Sequence, residues 1–167
     1  MMAESAAQVP FRELAKRGVR GVIFDIDNTL VPHGFAADEA AVALAHEIKS
    51  LGVGVCLLSN NSEKRVAPFA DALGAYFIAK AGKPGVGGYR EACLLLGTTA
   101  QTTVFVGDQL FTDIWGAKRA GMYSILVKPI HPKEEIQIRL KRILERPILW
   151  WWGKHGAVGC AADGLTK

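Results

Sequence analysis

Two carboxylates, Asp25 and Asp27, stand two residues apart at the end of the apolar, β-branched run Val22-Ile23-Phe24, and Asn28-Thr29 follow them directly. Three more polar clusters leave apolar runs in the same way. Ser59-Asn60-Asn61-Ser62 follows Val55-Cys56-Leu57-Leu58, Lys83-Pro84 comes shortly after residues 75–79, and Asp108 and Asp113 follow Val104-Phe105-Val106-Gly107. Brought together, these residue types can cleave a phosphate ester. A carboxylate is a competent nucleophile toward phosphorus, and passage through an aspartyl-phosphate splits one hard displacement into two easier ones. A second carboxylate two residues on reaches the leaving-group oxygen as general acid and then deprotonates the hydrolytic water. Acids alone would repel a phosphate dianion, so the set requires a cation. Hard oxygen ligands suit Mg²⁺, and Asp108 supplies the third carboxylate. The Ser59 hydroxyl, main-chain N–H groups at a helix N-terminus and the Lys83 ammonium would hold the remaining phosphoryl charge.

The elements that must position these groups are legible as alternating periods. Apolar runs predict strands at residues 19–26, 53–58, 75–79, 103–106 and 123–127. Between them, helical spacing predicts helices at 37–51 with Asp38 as N-cap, at 63–73, at 84–96 and at 112–120. Pro68 should break or restart the second of these, and Gly85, Gly87 and Gly88 each cost roughly 1 kcal/mol relative to Ala in the first turns of the third. Residues up to about 9 read as a frayed tail, followed by a short helix at 10–17 with Pro10 in its first turn. Strands alternating with helices make βαβ units, so the expected fold is α/β, an open doubly wound parallel sheet. In such sheets ligands sit beyond the carboxyl ends of the strands where strand order reverses, which is where all four clusters fall. Between Asp27 and Ser59 there is room for one loop and one helix, and between Ser59 and Lys83 for one helix and one strand. Neither gap admits a cap domain, so the site is expected to be open. Three segments are expected: 1–18, a tail and short helix; 19–130, the catalytic domain; and 131–167, a basic helix and Trp-rich tail.

The four clusters, in order, resemble the four motifs of the haloacid dehalogenase superfamily of phosphatases. Asp25-Ile26-Asp27-Asn28-Thr29-Leu30, Leu58-Ser59-Asn60, Lys83-Pro84 and Gly107-Asp108-Gln109-Leu110-Phe111-Thr112-Asp113 carry that resemblance. The pattern is closer still to the YqeG-like subgroup of the subfamily IIIA phosphatases, through Ser59-Asn60-Asn61-Ser62-Glu63-Lys64-Arg65-Val66, Phe69-Ala70 and Ile125-Leu126-Val127, and it covers residues 11–152. The resemblance implies that Asp25 is nucleophile and metal ligand, and that Asp27 is the acid/base whose main-chain carbonyl also binds Mg²⁺. Asp108 would complete the metal ligands, with Asp113 supporting the metal shell or orienting Lys83. Asn28, Thr29, Ser59, Asn60 and Lys83 would line the phosphate, with Lys80 as the alternative lysine. An Asp at the position of Asp27 is what phosphatases and mutases need, and relatives that dehalogenate or pump ions typically lack it. Similar eukaryotic and bacterial proteins are associated with dephosphorylation of phosphatidylglycerophosphate, which makes a phospholipid the expected substrate.

Composition bounds the remaining classes. At 167 residues and 50% hydrophobic, the chain fits one compact domain. Its three cysteines, Cys56, Cys93 and Cys160, lack CxxC or Cys/His clustering, so neither a disulfide framework nor a zinc site is expected and a reducing, cytoplasmic compartment fits. Cys56 and Cys93 fall on apolar elements as packing residues. Met1-Met2-Ala3-Glu4-Ser5 lacks a basic n-region, and no apolar run approaches the ~20 residues needed to span a bilayer. Residues 1–127 carry 12 Lys/Arg against 12 Asp/Glu, whereas residues 128–154 carry 7 against 3, so an anionic partner would be met near the C-terminus. There Ile136, Leu140, Ile143, Leu144, Ile148 and Trp151 follow helical spacing with Arg139, Lys141, Arg142 and Arg146 between them, before Trp150-Trp151-Trp152. Two readings of this segment stand side by side: peripheral contact with an anionic membrane face through residues 133–154, or a helix docked on the sheet with the Trp cluster as core. His33 either touches substrate or is an exposed loop histidine. The competing functions are a soluble phosphatase acting on a nucleotide, sugar phosphate or phosphoprotein, and a non-enzymatic binding module for a ribosome or RNA partner. No strong nucleic-acid signal accompanies the latter, and the full set of acids argues against it.

Overall fold

In the computed structural model, which describes residues 1–130, the strands are β1 (Met2–Ala3), β2 (Gly21–Phe24), β3 (Gly54–Leu58), β4 (Tyr76–Ile78), β5 (Thr103–Gly107) and β6 (Tyr123–Val127). The expected basic helix and Trp cluster of segment 131–167 lie outside the described residues. The helices are α1 (Phe11–Lys16), α2 (Glu39–Ser50), α3 (Glu63–Leu73), α4 (Gly87–Leu96) and α5 (Trp115–Arg119). The six strands form one parallel sheet in the order β1-β6-β5-β2-β3-β4. From β2 the chain steps outward through β3 to β4, crosses back to β5 on the other side of β2, and continues to β6. Strand order therefore reverses between β2 and β5, and that is where a ligand crevice is expected.

Because successive strand residues point to opposite faces, the apolar runs bury both sides of the sheet. Val22, Phe24, Val55, Leu57, Val104 and Val106 pack against α1, α2 and α3 through Phe11, Leu14, Ala45, Ile48, Phe69 and Leu73. On the other face, Ile23, Cys56, Leu58 and Phe105 meet Tyr89, Ala92 and Cys93 of α4 and Ala117 of α5. The connection from β2 to β3 holds one loop and α2, and that from β3 to β4 holds α3 alone. The doubly wound sheet without a cap thus stands as expected. Among the described residues, no helix is long and apolar enough to cross a membrane.

Local departures have local causes. Residues 1–9 are not frayed: Met2 and Ala3 pair with Leu126 and Val127 as an edge strand, and Ala6 and Val9 are buried. Pro68 sits inside an unbroken α3. Its missing N–H would have bonded the carbonyl of Lys64, a first-turn residue on the exposed side where water can serve instead. Pro84, Gly85 and Val86 stay out of the third expected helix, and α4 begins at Gly87, with Gly87 and Gly88 in its first turn. The last expected helix instead opens with a π-helical turn, Leu110–Ile114, before α5. Asp113 folds its carboxylate back so that Oδ2 accepts from the Gln109 N–H at 3.0 Å, and the turn widens around that contact. Asp38 caps α2 as expected, its carboxylate accepting from Ala41 N–H at 2.8 Å, a contact worth about 1 kcal/mol.

Candidate active site

The carboxyl ends of β2 and β5 deliver Asp25 and Asp108 side by side, since Phe24 pairs with Val106 in register. The π-turn after β5 brings in Asp113, and the carboxylates of Asp25, Asp108 and Asp113 lie within 4.8 Å of one another, all three residues buried. Gly107 makes room for this approach, because a methyl group there would meet the Asp113 carboxylate at 2.6–2.8 Å. Lys83 enters from the loop after β4. Its ammonium donates to Asp25 Oδ1 at 2.6 Å and to Asp113 Oδ1 at 2.7 Å, with its side chain only 4% exposed. Beneath it lies the Phe105 ring, 5.6 Å from Nζ to the centroid. Lys83 is thus the lysine in the cluster, while Lys80 is exposed and bonds the Asn61 carbonyl only through its main chain, at 2.8 Å.

The electrostatics follow from three buried acids gathered around one buried ammonium. Burial raises the Asp25 carboxyl from its ordinary 3.8 to about 7; Asp113 and Asp27 push the same way, and Lys83 opposes them. Burial works against the Lys83 charge, but Asp113 and Asp25 outweigh it and hold the ammonium firmly protonated. A buried carboxylate set with excess negative charge and only hard oxygen donors fits a divalent cation of the Mg²⁺ type.

Asp27 is turned elsewhere. Its Oδ1 accepts from Gly34 N–H at 2.9 Å and Arg65 Nη2 at 3.0 Å, and its Oδ2 accepts from the Asn61 amide at 2.5 Å. His33 Nδ1 stands 3.8 Å from the same Oδ1 on an exposed loop. Ser59 is buried at the end of β3, and its Oγ accepts from Asn61 N–H at 3.1 Å, leaving the hydroxyl proton to donate. The Asn60 amide grips the Lys83 main chain from both sides, accepting from its N–H at 2.8 Å and donating to its carbonyl at 3.1 Å. Thr29 Oγ1 donates to Asp108 Oδ1 at 3.4 Å. Asn28 adopts φ +63° and is buried, its N–H bonded to the Val31 carbonyl at 2.7 Å and its Oδ1 without a hydrogen-bond partner.

Every sequence-predicted site residue therefore falls at this end of the sheet, but in two groups. Asp25, Asp108, Asp113 and Lys83 form the cluster, with Thr29 and Asn60 bracing it, while Asp27 belongs to a second network with Asn61 and Arg65. Sequence reasoning assigned no chemistry to Arg65, Asn61 or Tyr89. The Tyr89 hydroxyl, deep under the site, donates to the carbonyls of Thr112 and Asp113 at 2.9 and 3.1 Å and so braces the π-turn. Its position on α4 looks like ordinary core from spacing alone.

Comparison with known proteins agrees with the geometry. A family model described as haloacid dehalogenase-like hydrolase matches residues 33–121, taking in Ser59, Lys83, Asp108 and Asp113. The chain is 38% identical to the Bacillus subtilis (strain 168) protein named "Probable phosphatase YqeG", over 82% of this chain and 80% of that protein. It is 31% identical over 78% of its length to a Chlamydomonas reinhardtii protein named phosphatidylglycerophosphate phosphatase 1, chloroplastic, of which it spans 52%. Among solved structures, the cobalt-bound deoxy-D-mannose-octulosonate 8-phosphate phosphatase of Haemophilus influenzae superposes with a TM-score of 0.58 at 16% identity, over 92% of this chain and 99% of that one. At that identity the likeness is one of fold.

Proposed function

We propose that this chain, which belongs to the haloacid dehalogenase-like hydrolases and is a phosphatase, hydrolyses phosphatidylglycerophosphate through a phosphorylated Asp25. The observation that carries the mechanism is the convergence of Asp25, Asp108 and Asp113 around the Lys83 ammonium at the switch point of the sheet. Lys83 holds Oδ1 of Asp25 and leaves its other oxygen to attack. That oxygen forms a bond to phosphorus as the ester P–O bond breaks, and Asp27 gives a proton to the departing alkoxide. In the second half-reaction Asp27 takes a proton from water as it attacks the aspartyl-phosphate, releasing phosphate and restoring Asp25. Ser59 Oγ–H and Lys83 hold the equatorial phosphoryl oxygens. Asp25, Asp108, Asp113 and the Asp27 main-chain carbonyl would hold Mg²⁺, which when bound supplies the positive charge that lets a phosphate dianion approach these acids.

The lipid substrate is supported by the name of the Chlamydomonas relative, by the uncapped site and by the basic, Trp-rich sequence of residues 133–154, which we assign to peripheral contact with an anionic membrane. Residues 19–130 are then the catalytic domain, 1–18 its N-terminal support and 131–167 the membrane-facing tail. A substrate panel tests this: phosphatidylglycerophosphate in vesicles against soluble nucleotide and sugar phosphates, each with Mg²⁺. A kcat/KM for the lipid at least about tenfold above that for the best soluble ester is expected, a difference of 1.4 kcal/mol in transition-state binding. Good soluble turnover without lipid turnover would retire the lipid reading and leave the phosphatase intact.

Cation dependence gives a separate expectation. EDTA should abolish turnover, and Mg²⁺ should raise the Tm of the metal-free protein, by mass action on the folded state alone. The Asp25 carboxyl is raised in the fold, so the metal-free protein loses stability as pH climbs from about 4 through about 7. The Mg²⁺ shift in Tm should accordingly be larger at pH 8 than at pH 6, measured by differential scanning fluorimetry. Full turnover in EDTA would contradict the assigned carboxylate site.

A further inference from the structure

Arg65 lies outside the acidic cluster, yet it is the only guanidinium among the described residues that meets a carboxylate of the site. One nitrogen, Nη2, donates both to Asp27 Oδ1 at 3.0 Å and to the main-chain carbonyl of Phe35 at 2.6 Å. Its two hydrogens therefore join two elements that the sequence keeps 30 residues apart, the loop after β2 and the first turn of α3. The guanidinium itself rests over the Phe69 ring, 5.6 Å from the centroid, and the side chain is 23% exposed, so it is held in place. Asn61 and Gly34 N–H complete the set, and both oxygens of Asp27 are oriented by donors. Asp25 has an arrangement of its own, with Lys83 as its hydrogen-bond partner. The two acids two residues apart are thus governed by different cations.

Proton transfer falls off steeply when donor and acceptor are misplaced, and an error of about 1 Å can cost about 10²-fold in rate. A carboxylate on a single-methylene stem rotates freely unless something fixes it. We propose that Arg65 is the positioning residue for proton transfer: by gripping Asp27 Oδ1 and the Phe35 carbonyl together, it sets the direction from which Asp27 protonates the leaving oxygen. This rests on the reading of Asp27 as acid/base. The planar guanidinium suits the role because its donors are fixed in geometry, whereas an ammonium offers a point charge. No contact of Arg65 requires it to touch the phosphoryl group.

Leaving-group dependence separates positioning from support. Departure of 2,4-dinitrophenolate needs no proton, whereas departure of phenolate does, so kcat/KM for the two aryl phosphates reports how well the acid works. Arg65→Met keeps the apolar stem over Phe69 and removes the guanidinium. It is expected to lower kcat/KM for phenyl phosphate by about 10- to 100-fold and for 2,4-dinitrophenyl phosphate by less than about threefold. Asp27→Asn should show the same selective loss, and the double variant should be no slower than Asp27→Asn alone, because Arg65 acts through Asp27. If Arg65→Met folds poorly, Arg65→Lys serves the same comparison, with a smaller loss confined to phenyl phosphate expected. Equal loss on both substrates, or additive loss in the double variant, would overturn the proposal. Selective loss in Asp27→Asn but not in the Arg65 variants would overturn the proposal alone; no selectivity in Asp27→Asn would overturn the acid/base reading beneath it.

Discussion

Asp25→Asn is expected to abolish turnover, with kcat falling by on the order of 10⁴ or more, while the protein stays folded and becomes no less stable. The amide is nearly isosteric and its oxygen can still accept from Lys83, but it cannot form an acyl-phosphate. The stability half of the expectation comes from burial. Burial raises the Asp25 carboxyl from its ordinary 3.8 to about 7, so its ionised form is disfavoured by folding. Since the folded-state value is the higher one, the native acid costs stability increasingly as pH rises through that window, and the neutral Asn escapes the cost. At pH 8 without metal, the variant's Tm should equal or exceed that of the native protein, and the difference should vanish near pH 4. Phosphate release and fluorimetry on one preparation check both halves. A residual rate within tenfold of native would move the nucleophile elsewhere; a collapsed fold would mean that the Asp25 charge supports the structure.

That trade of stability for chemistry explains why the site could be read from sequence. Two acids at the end of an apolar strand make no structural sense without partners, so Asp25 and Asp27 announced a site, and Asp108 did so for the same reason. Strand β6 matched its expected bounds because Tyr123, Ile125, Leu126 and Val127, with Ser124 among them, are bracketed by Gly121 before and a Lys-Pro pair after. Strand β1 was invisible, since two residues have no period and only pairing with Leu126 and Val127 makes them a strand. Pro68 misled because local propensity says nothing about which face of α3 meets water. The π-turn followed from a side chain bonding back across four residues, Asp113 to Gln109, which no spacing rule anticipates. Arg65 and Tyr89 were missed for a related reason. Arg65 acts across 38 residues and Tyr89 across 24, and each sits on a helix where a solvated cation or a core aromatic would look the same.

The second large effect concerns the opposite sign of charge. Lys83→Met is expected to lower kcat/KM by roughly 10²- to 10³-fold, through loss of a preorganised cation at the phosphoryl oxygens. It should also destabilise the metal-free protein by about 3–5 kcal/mol, because removing one partner of a buried ion pair leaves uncompensated charge behind. Here it leaves three buried carboxylates with no ammonium among them. Some relief comes from protonation, as Asp25 is already easily neutralised, so the loss should be greater at pH 8 than at pH 6. Magnesium gives the sharper readout. A divalent cation bound by Asp25, Asp108 and Asp113 replaces much of the missing charge, so the Mg²⁺-induced rise in Tm should be larger in Lys83→Met than in the native protein. Activity should not return with it, since the added charge sits among the acids and cannot replace the N–H donor that Lys83, on the proposed mechanism, would keep for the transferred group beyond its bonds to Asp25 and Asp113. Equal Mg²⁺ shifts in the two proteins would mean that the cation and Lys83 do not share the same carboxylates, and the three-acid site would have to be redrawn around Asp108 alone.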